Sequence, residues 1–144
     1  MAKESDELEQ LASDLRVASF LLTRRMRLES HLEAVTDSQL TVLMHLSRVG
    51  ARTPGQLAEY ERVSAPSMNR TLNALEGAGY VRRVDDPADR RRVIVELMPD
   101  GDELARTART RRNAWLKREL APMSGEEREL LSRAAAVIAG MARR

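Results

Sequence analysis

Between Thr53 and Val95 the residues mark the start and stop of several consecutive elements, which leaves few arrangements open to the rest of the chain. Thr53-Pro54-Gly55-Gln56 is a helix start: a hydroxyl to cap, a proline at the first helical position, and an amide three residues after the cap to close a capping box. That helix is short, Pro54 to about Glu61. Ser64-Ala65-Pro66-Ser67 starts another, with Ser64 as cap, which runs to about Ala78 and stops at Gly79. Two short helices joined by a brief turn make a helix-turn-helix. Tyr80 to Asp85 and Arg92 to Met98 then read as strands, the second alternating Val93, Val95 and Leu97 against Ile94, Glu96 and Met98. Asp86-Pro87-Ala88-Asp89 supplies turn residues between them, giving a β-hairpin with an arginine-rich tip.

The second helix of the pair has two chemically different sides. At about 100° per residue, Met68, Leu72 and Leu75 fall on one side, and Pro66, Asn69, Arg70, Asn73 and Gly77 on the other, with Ser67 at the N-terminal edge. The polar side is free of acids, with Glu76 at its flank. Such side chains suit a major groove: Arg pairs with guanine O6 and N7, and Asn with adenine N6 and N7. Ser67 or a backbone N–H at the helix start is suited to a phosphate. An ordinary solvated helix face uses the same residue types, but not beside a capped partner helix and a basic hairpin. In that hairpin Arg90 and Arg91 flank a turn, from which a side chain can enter a narrow minor groove. Asp89 does not attract phosphate; its expected part is to hold a neighbouring guanidinium through a bidentate pair. A charged edge that discourages aggregation is the bland alternative. Arg82, Arg83 and Arg92 stay open between phosphate contact and solvent.

The flanks read as helices. Ser5 to about Glu33 repeats Leu8, Leu11, Leu15, Ala18, Leu22 and Met26 at spacings of three and four, and Phe20, Leu21, Leu28 and Leu32 widen the apolar surface. A helix apolar on more than one side needs more than one partner, part of it from a second subunit. Thr36 and Gln39 box a helix over Asp37 to Ser47; Pro99 to about Glu119 forms another; Ser124 and Glu127 box the last. The expected fold is mainly α with a small β-hairpin wing: a winged helix-turn-helix lobe over 36–98, inside a helical dimerisation region over 5–33 and 99–143, the whole of 1–144 forming a single domain.

Composition narrows the function. Cysteine is absent, which excludes disulfides, thiolate metal sites and a thiol redox switch. Two histidines make a poor metal site, and no cofactor is expected. No phosphate-binding glycine loop or nucleophile–base pair is evident, so an enzyme is not expected. No signal peptide or membrane span is read, and the expected location is the cytoplasm, with nucleoid association when bound to DNA. The net charge of +2 is modest, so the clustering of arginine matters more than its total.

The pattern resembles the MarR family of bacterial and archaeal regulators. The resemblance is carried by Leu57-Ala58-Glu59, Ser64 to Arg70, Leu75 to Arg82, and Asp86-Pro87-Ala88-Asp89-Arg90-Arg91, which is similar to the family's Asp-Arg-Arg wing signature, with Gly101 downstream. It implies a triangular homodimer in which the first helix and the last two interleave, and a palindromic double-stranded DNA operator with one recognition helix per major groove. Carried over to this chain, the recognition-helix contacts are Ser64, Pro66, Ser67, Asn69, Arg70 and Asn73. The wing contacts are Asp89, Arg90 and Arg91, with Arg91 inserted and Asp89 orienting it. The resemblance also implies a repressor released by a small aromatic or phenolic effector between the DNA-binding and dimerisation regions. Candidates for that pocket are Arg16, Phe20, His31, His45, Arg48 and Trp115, although His45, among Leu43, Met44 and Leu46, equally suits a structural role. The family often has Thr where this chain has Met98, so a side-chain cap is lost there. Two other classes compete: a non-specific architectural DNA-binding protein, and a protein-interaction module on the same fold.

Overall fold

Side-chain caps set most of the helix starts in the computed structural model, which describes residues 1–143. The elements are α1 (Ala2–Glu29), α2 (Asp37–Val49), α3 (Pro54–Glu61), α4 (Ala65–Gly77), β1 (Val81–Asp85), β2 (Val93–Leu97), α5 (Pro99–Leu120) and α6 (Gly125–Ala142). Thr36 with Gln39, Thr53 with Gln56, and Ser124 with Glu127 form complete capping boxes. Ser64 accepts the Ser67 N–H at 3.2 Å and so starts α4. At α5 the preceding Met98 makes no side-chain cap, and Pro99 occupies the first turn.

The core lies where α2, α3, α4, the hairpin and the first half of α5 meet. Leu43, Leu57, Leu72 and Val95 are wholly buried, with Leu40, Leu46, Met68, Leu75 and Val81 around them. Ala105 and Ala108 put the small side of α5 against this cluster, so the winged lobe and the helical frame share a core. The hairpin is antiparallel, with Val81 opposite Leu97, Arg82 opposite Glu96 and Arg83 opposite Val95. Arg52 exchanges two backbone hydrogen bonds with Val95, at 2.8 and 3.3 Å, and so adds a one-residue third strand at the hairpin's edge. Gly101 allows α5 to start close to the hairpin: a β-carbon there would lie 2.2 Å from the Tyr80 carbonyl oxygen. That same carbonyl accepts the Met98 N–H at 2.9 Å.

The first helix ends earlier than its apolar spacing implies, at Glu29 rather than Glu33. Ser30 closes it. Its N–H bonds to Met26, its hydroxyl receives the Arg112 Nε–H at 2.8 Å, and its side chain is wholly buried. Leu32 therefore leaves the α1 stripe and packs, with Val35, on the winged core. β1 starts one residue later than the sequence implies, β2 lacks Arg92 and Met98 at its two ends, and α2 gains a half-turn to Val49. No helix among the described residues is long and apolar enough to cross a membrane.

The two outer helices are left uncovered. On α1, Leu8, Leu11, Phe20, Leu21, Leu22 and Leu28 are exposed, and α6 has no buried residue, although Leu130, Leu131, Val137, Ile138 and Met141 lie along it. The single chain exposes 10588 Å². A compact monomer of 16.2 kDa exposes roughly 7,500 Å².

Candidate DNA-binding surface

The α4 helix carries the two faces its sequence implies. Met68, Leu72 and Leu75 are buried against α2, α3 and the hairpin. Pro66, Asn69, Arg70 and Asn73 are exposed on the opposite side, and Ser67 is half-buried at the N-terminal edge. Ser64 is exposed, but its hydroxyl is committed to the Ser67 N–H. Thr71 returns its hydroxyl to the Ser67 carbonyl at 3.3 Å and takes no place on the polar face. Burial of one side fixes the rotation of α4, and so the direction in which the two amides and Arg70 point.

The hairpin arginines divide into two groups. Arg82 pairs with Glu96, its opposite neighbour on β2, at 2.8 Å. Arg83 pairs with Glu76 of α4 at 2.5 Å. Both strand arginines are thus neutralised by acids. At the tip, Arg90, Arg91 and Arg92 are exposed, and the Arg91 side chain is 96% accessible. Asp86 accepts the Ala88 N–H at 2.9 Å and Asp89 accepts the Arg91 N–H at 3.1 Å. The Asp89 carboxylate comes only within 4.0 Å of the Arg91 Nε. No bidentate pair forms; Asp89 orients Arg91 through its backbone instead. An Asp side chain bonding two residues ahead is an ordinary turn device, and here it fixes the Cα from which Arg91 projects.

The candidate pocket residues do not converge on one cavity. Phe20 and His31 line a hollow of about 580 Å³ between α1 and the start of α2, together with Arg24, Arg27 and Leu28. His45 and Arg48 line a separate cleft of about 380 Å³ with Met44, Tyr60, Arg109 and Arg112. Trp115, largely buried, borders an apolar groove of about 570 Å³ with Leu22, Leu116, Leu131 and Ile138. Arg16 is exposed on α1 and lines none of these hollows. The cleft at His45 is the most organised. His45 stacks on Tyr60 with ring centroids 3.6 Å apart. Arg48 donates to the His45 Nδ1 at 3.1 Å and to the Tyr60 hydroxyl at 2.9 Å. Because arginine only donates, Nδ1 must accept, and the proton sits on Nε2. Burial, then the charges of Arg48 and Arg52, holds His45 below the usual imidazole range. Tyr60, Arg109 and Arg112 escaped the sequence reading; only the Arg111-Arg112 doublet hinted at this wall.

Comparison with known proteins agrees with this geometry. A family model described as the MarR family matches residues 35–92, the winged lobe. The chain is 42% identical over 126 residues to an uncharacterized HTH-type transcriptional regulator of Mycobacterium bovis, Mb0904, covering 88% of each sequence. A crystal structure of a proposed transcriptional regulator from Pseudomonas aeruginosa superposes with a TM-score of 0.81 at 34% identity, covering 96% of this chain and 97% of the other. Streptococcus pneumoniae FabT, solved in complex with DNA, shares the fold at a TM-score of 0.74 and 19% identity, covering 94% of this chain and 97% of its own. Identity of this degree over most of both sequences, joined to a buried-back, polar-front fourth helix and a basic wing, shows that the chain belongs to the MarR family of winged helix-turn-helix, DNA-binding transcriptional regulators, a family of non-enzymes.

Proposed function

We propose that the protein is a homodimeric, sequence-specific repressor that sets the α4 helix of each subunit in a major groove of a palindromic operator, in the cytoplasm at the nucleoid. The observation that carries this reading is the fixed orientation of α4. Its apolar side is locked in the core, so Asn69, Arg70 and Asn73 present a polar face whose flanking acid, Glu76, is paired with Arg83, while Asp89 holds Arg91 at the tip of the neighbouring wing. Ser64, Pro66 and Ser67 lie at the helix start beside a phosphate path, and Arg90 flanks Arg91. FabT, which shares this fold, was solved in complex with DNA, which supports DNA as the partner. The uncovered apolar faces of α1 and α6 support a second copy as partner. In this reading 36–98 is the DNA-reading lobe, and 5–33 with 99–143 the dimerisation region.

Release by a small aromatic or phenolic acid fits the cleft at His45 and Arg48, where Arg109 and Arg112 add cations beside Met44 and Tyr60. The Phe20–His31 hollow is the second candidate seat.

Selection of bound sequences from random duplex tests the whole reading. The expected result is an enriched palindrome whose half-sites are centred about one helical turn, ~10 base pairs, apart or a multiple of that. Duplex affinity without an enriched sequence would make the protein an architectural binder, and no affinity would make it an interaction module. Adding benzoates and phenols to the selected complex then tests release.

A further inference from the structure

We propose that the Glu76–Arg83 pair sets the angle between the recognition helix and the wing, and that Glu76 is therefore a positioning residue for operator binding although it is an acid on the DNA-facing side. Glu76 is the only acid in α4 and follows Asn73 by one turn, so that it flanks the reading face. A bare carboxylate there would repel phosphate. Its charge is met by Arg83: one Glu76 oxygen takes the Arg83 guanidinium at 2.5 Å, and the other lies 3.4 Å from the Arg83 backbone N–H. The bond reaches the strand itself as well as its side chain, so it fixes the backbone of β1 relative to α4. Arg83 sits opposite Val95, the wholly buried residue that Arg52 holds from the other edge. The hairpin base is thus held on both sides, with the wing tip beyond it unsupported by any other ion pair to a helix among the described residues.

Two reading elements on one subunit behave as linked ligands: the second binds well only if the link places it where its groove lies. Loosening the link lowers the effective concentration of the Arg91 guanidinium at its groove without removing any contact. The hydrogen bonds from Arg83 hold the Glu76 carboxyl below the usual carboxylate range, so the pair is charged near neutral pH. With Glu76 exposed and Arg83 half-buried, the pair adds only modestly to stability, which separates a positioning role from a structural one.

The inference rests on the groove-reading wing proposed above, and the test keeps the two apart. Full-length parent, E76Q, R91A and the double variant are titrated against the duplex recovered by selection, at fixed salt, and each is melted. We expect R91A to bind about tenfold more weakly than the parent. We expect E76Q to lose a comparable factor of about ten while its melting temperature stays within about 4 °C. In the E76Q background, R91A should cost less than about threefold more, because the wing is already out of place. R91A equal to the parent would overturn the wing reading itself. R91A weak but E76Q equal to or tighter than the parent would overturn the positioning role, since it would mean that removing an acid merely relieves repulsion. Fully additive losses would also overturn it; R83Q is expected to repeat the loss of E76Q, and R83K, which retains the charge and a donor, to lose less than R83Q.

Discussion

Arg62 has a left-handed backbone, with φ of 52°, and it is the one non-glycine residue with positive φ among the described residues. It ends α3 and turns the chain toward Ser64, a place where the β-carbon of an L-residue crowds its own carbonyl. Arg62→Gly removes that crowding at some cost in unfolded-chain entropy, and the expected net gain is about 0.5–1 kcal/mol, read from a urea midpoint. His45 makes a second residue-scale prediction. Its folded pKa lies below the unfolded value near 6.5, so the unfolded chain binds the proton first as pH falls. Stability should therefore drop on acidification through pH 6.5 and level off below the folded pKa. A protonated ring also loses the Nδ1 acceptor that Arg48 uses. His45→Gln should flatten this part of the stability–pH curve; an unchanged slope between pH 7.5 and 5.5 would remove His45 as its cause. The residue scale was partly legible. That α4 would bury Met68, Leu72 and Leu75 follows from periodicity alone, whereas the stack of His45 on Tyr60 joins two helices whose spacing in space no local pattern encodes.

At the scale of elements, helix starts were the most legible features, because a cap and its box are contained within four residues. Thr36, Thr53 and Ser124 all cap as their sequence context implies. Helix ends were less so. The apolar repeat of α1 continues through Leu32, yet the helix stops where Ser30 meets Arg112, a residue 82 positions away. Packing between elements depends on Gly101, whose first-turn place in α5 leaves no room for a side chain against the Tyr80 carbonyl. Gly101→Ala must push α5 from the hairpin or twist its first turn, because the obstructing atom is backbone. The expected loss is about 1–3 kcal/mol, checked by thermal melting, with weakened operator binding as the wing shifts. A gain of about 0.5–1 kcal/mol, as an exposed helical Gly→Ala change gives, would mean that the contact yields freely.

At the scale of the molecule, the excess surface and the bare α6 helix support the second copy proposed above as the cover for these apolar faces. Leu131 and Ile138 border the apolar groove beside Trp115 and lie on that uncovered face. Placing glutamate at both positions would bury charge without a partner if the copies associate there. The doubly substituted chain is expected to sediment as a monomer at micromolar concentration while the parent sediments as a dimer. Its affinity for a palindrome should fall by a factor of roughly 100 or more, since the two recognition helices are no longer linked. Dimeric sedimentation of the variant would place the interface elsewhere.

The order and type of the elements, the two-sidedness of α4 and the basic tip of the wing are local properties of the chain. All of these are set by caps, turn residues and periodicities that act within a few turns of chain. How the arginines are used emerges only when the elements pack together. Arg82 and Arg83 are held by Glu96 and Glu76, Arg112 by Ser30, and the tip arginines are left exposed. Such assignments depend on which distant acid or hydroxyl the fold brings within hydrogen-bonding reach, and a charge carries no local mark of its eventual partner.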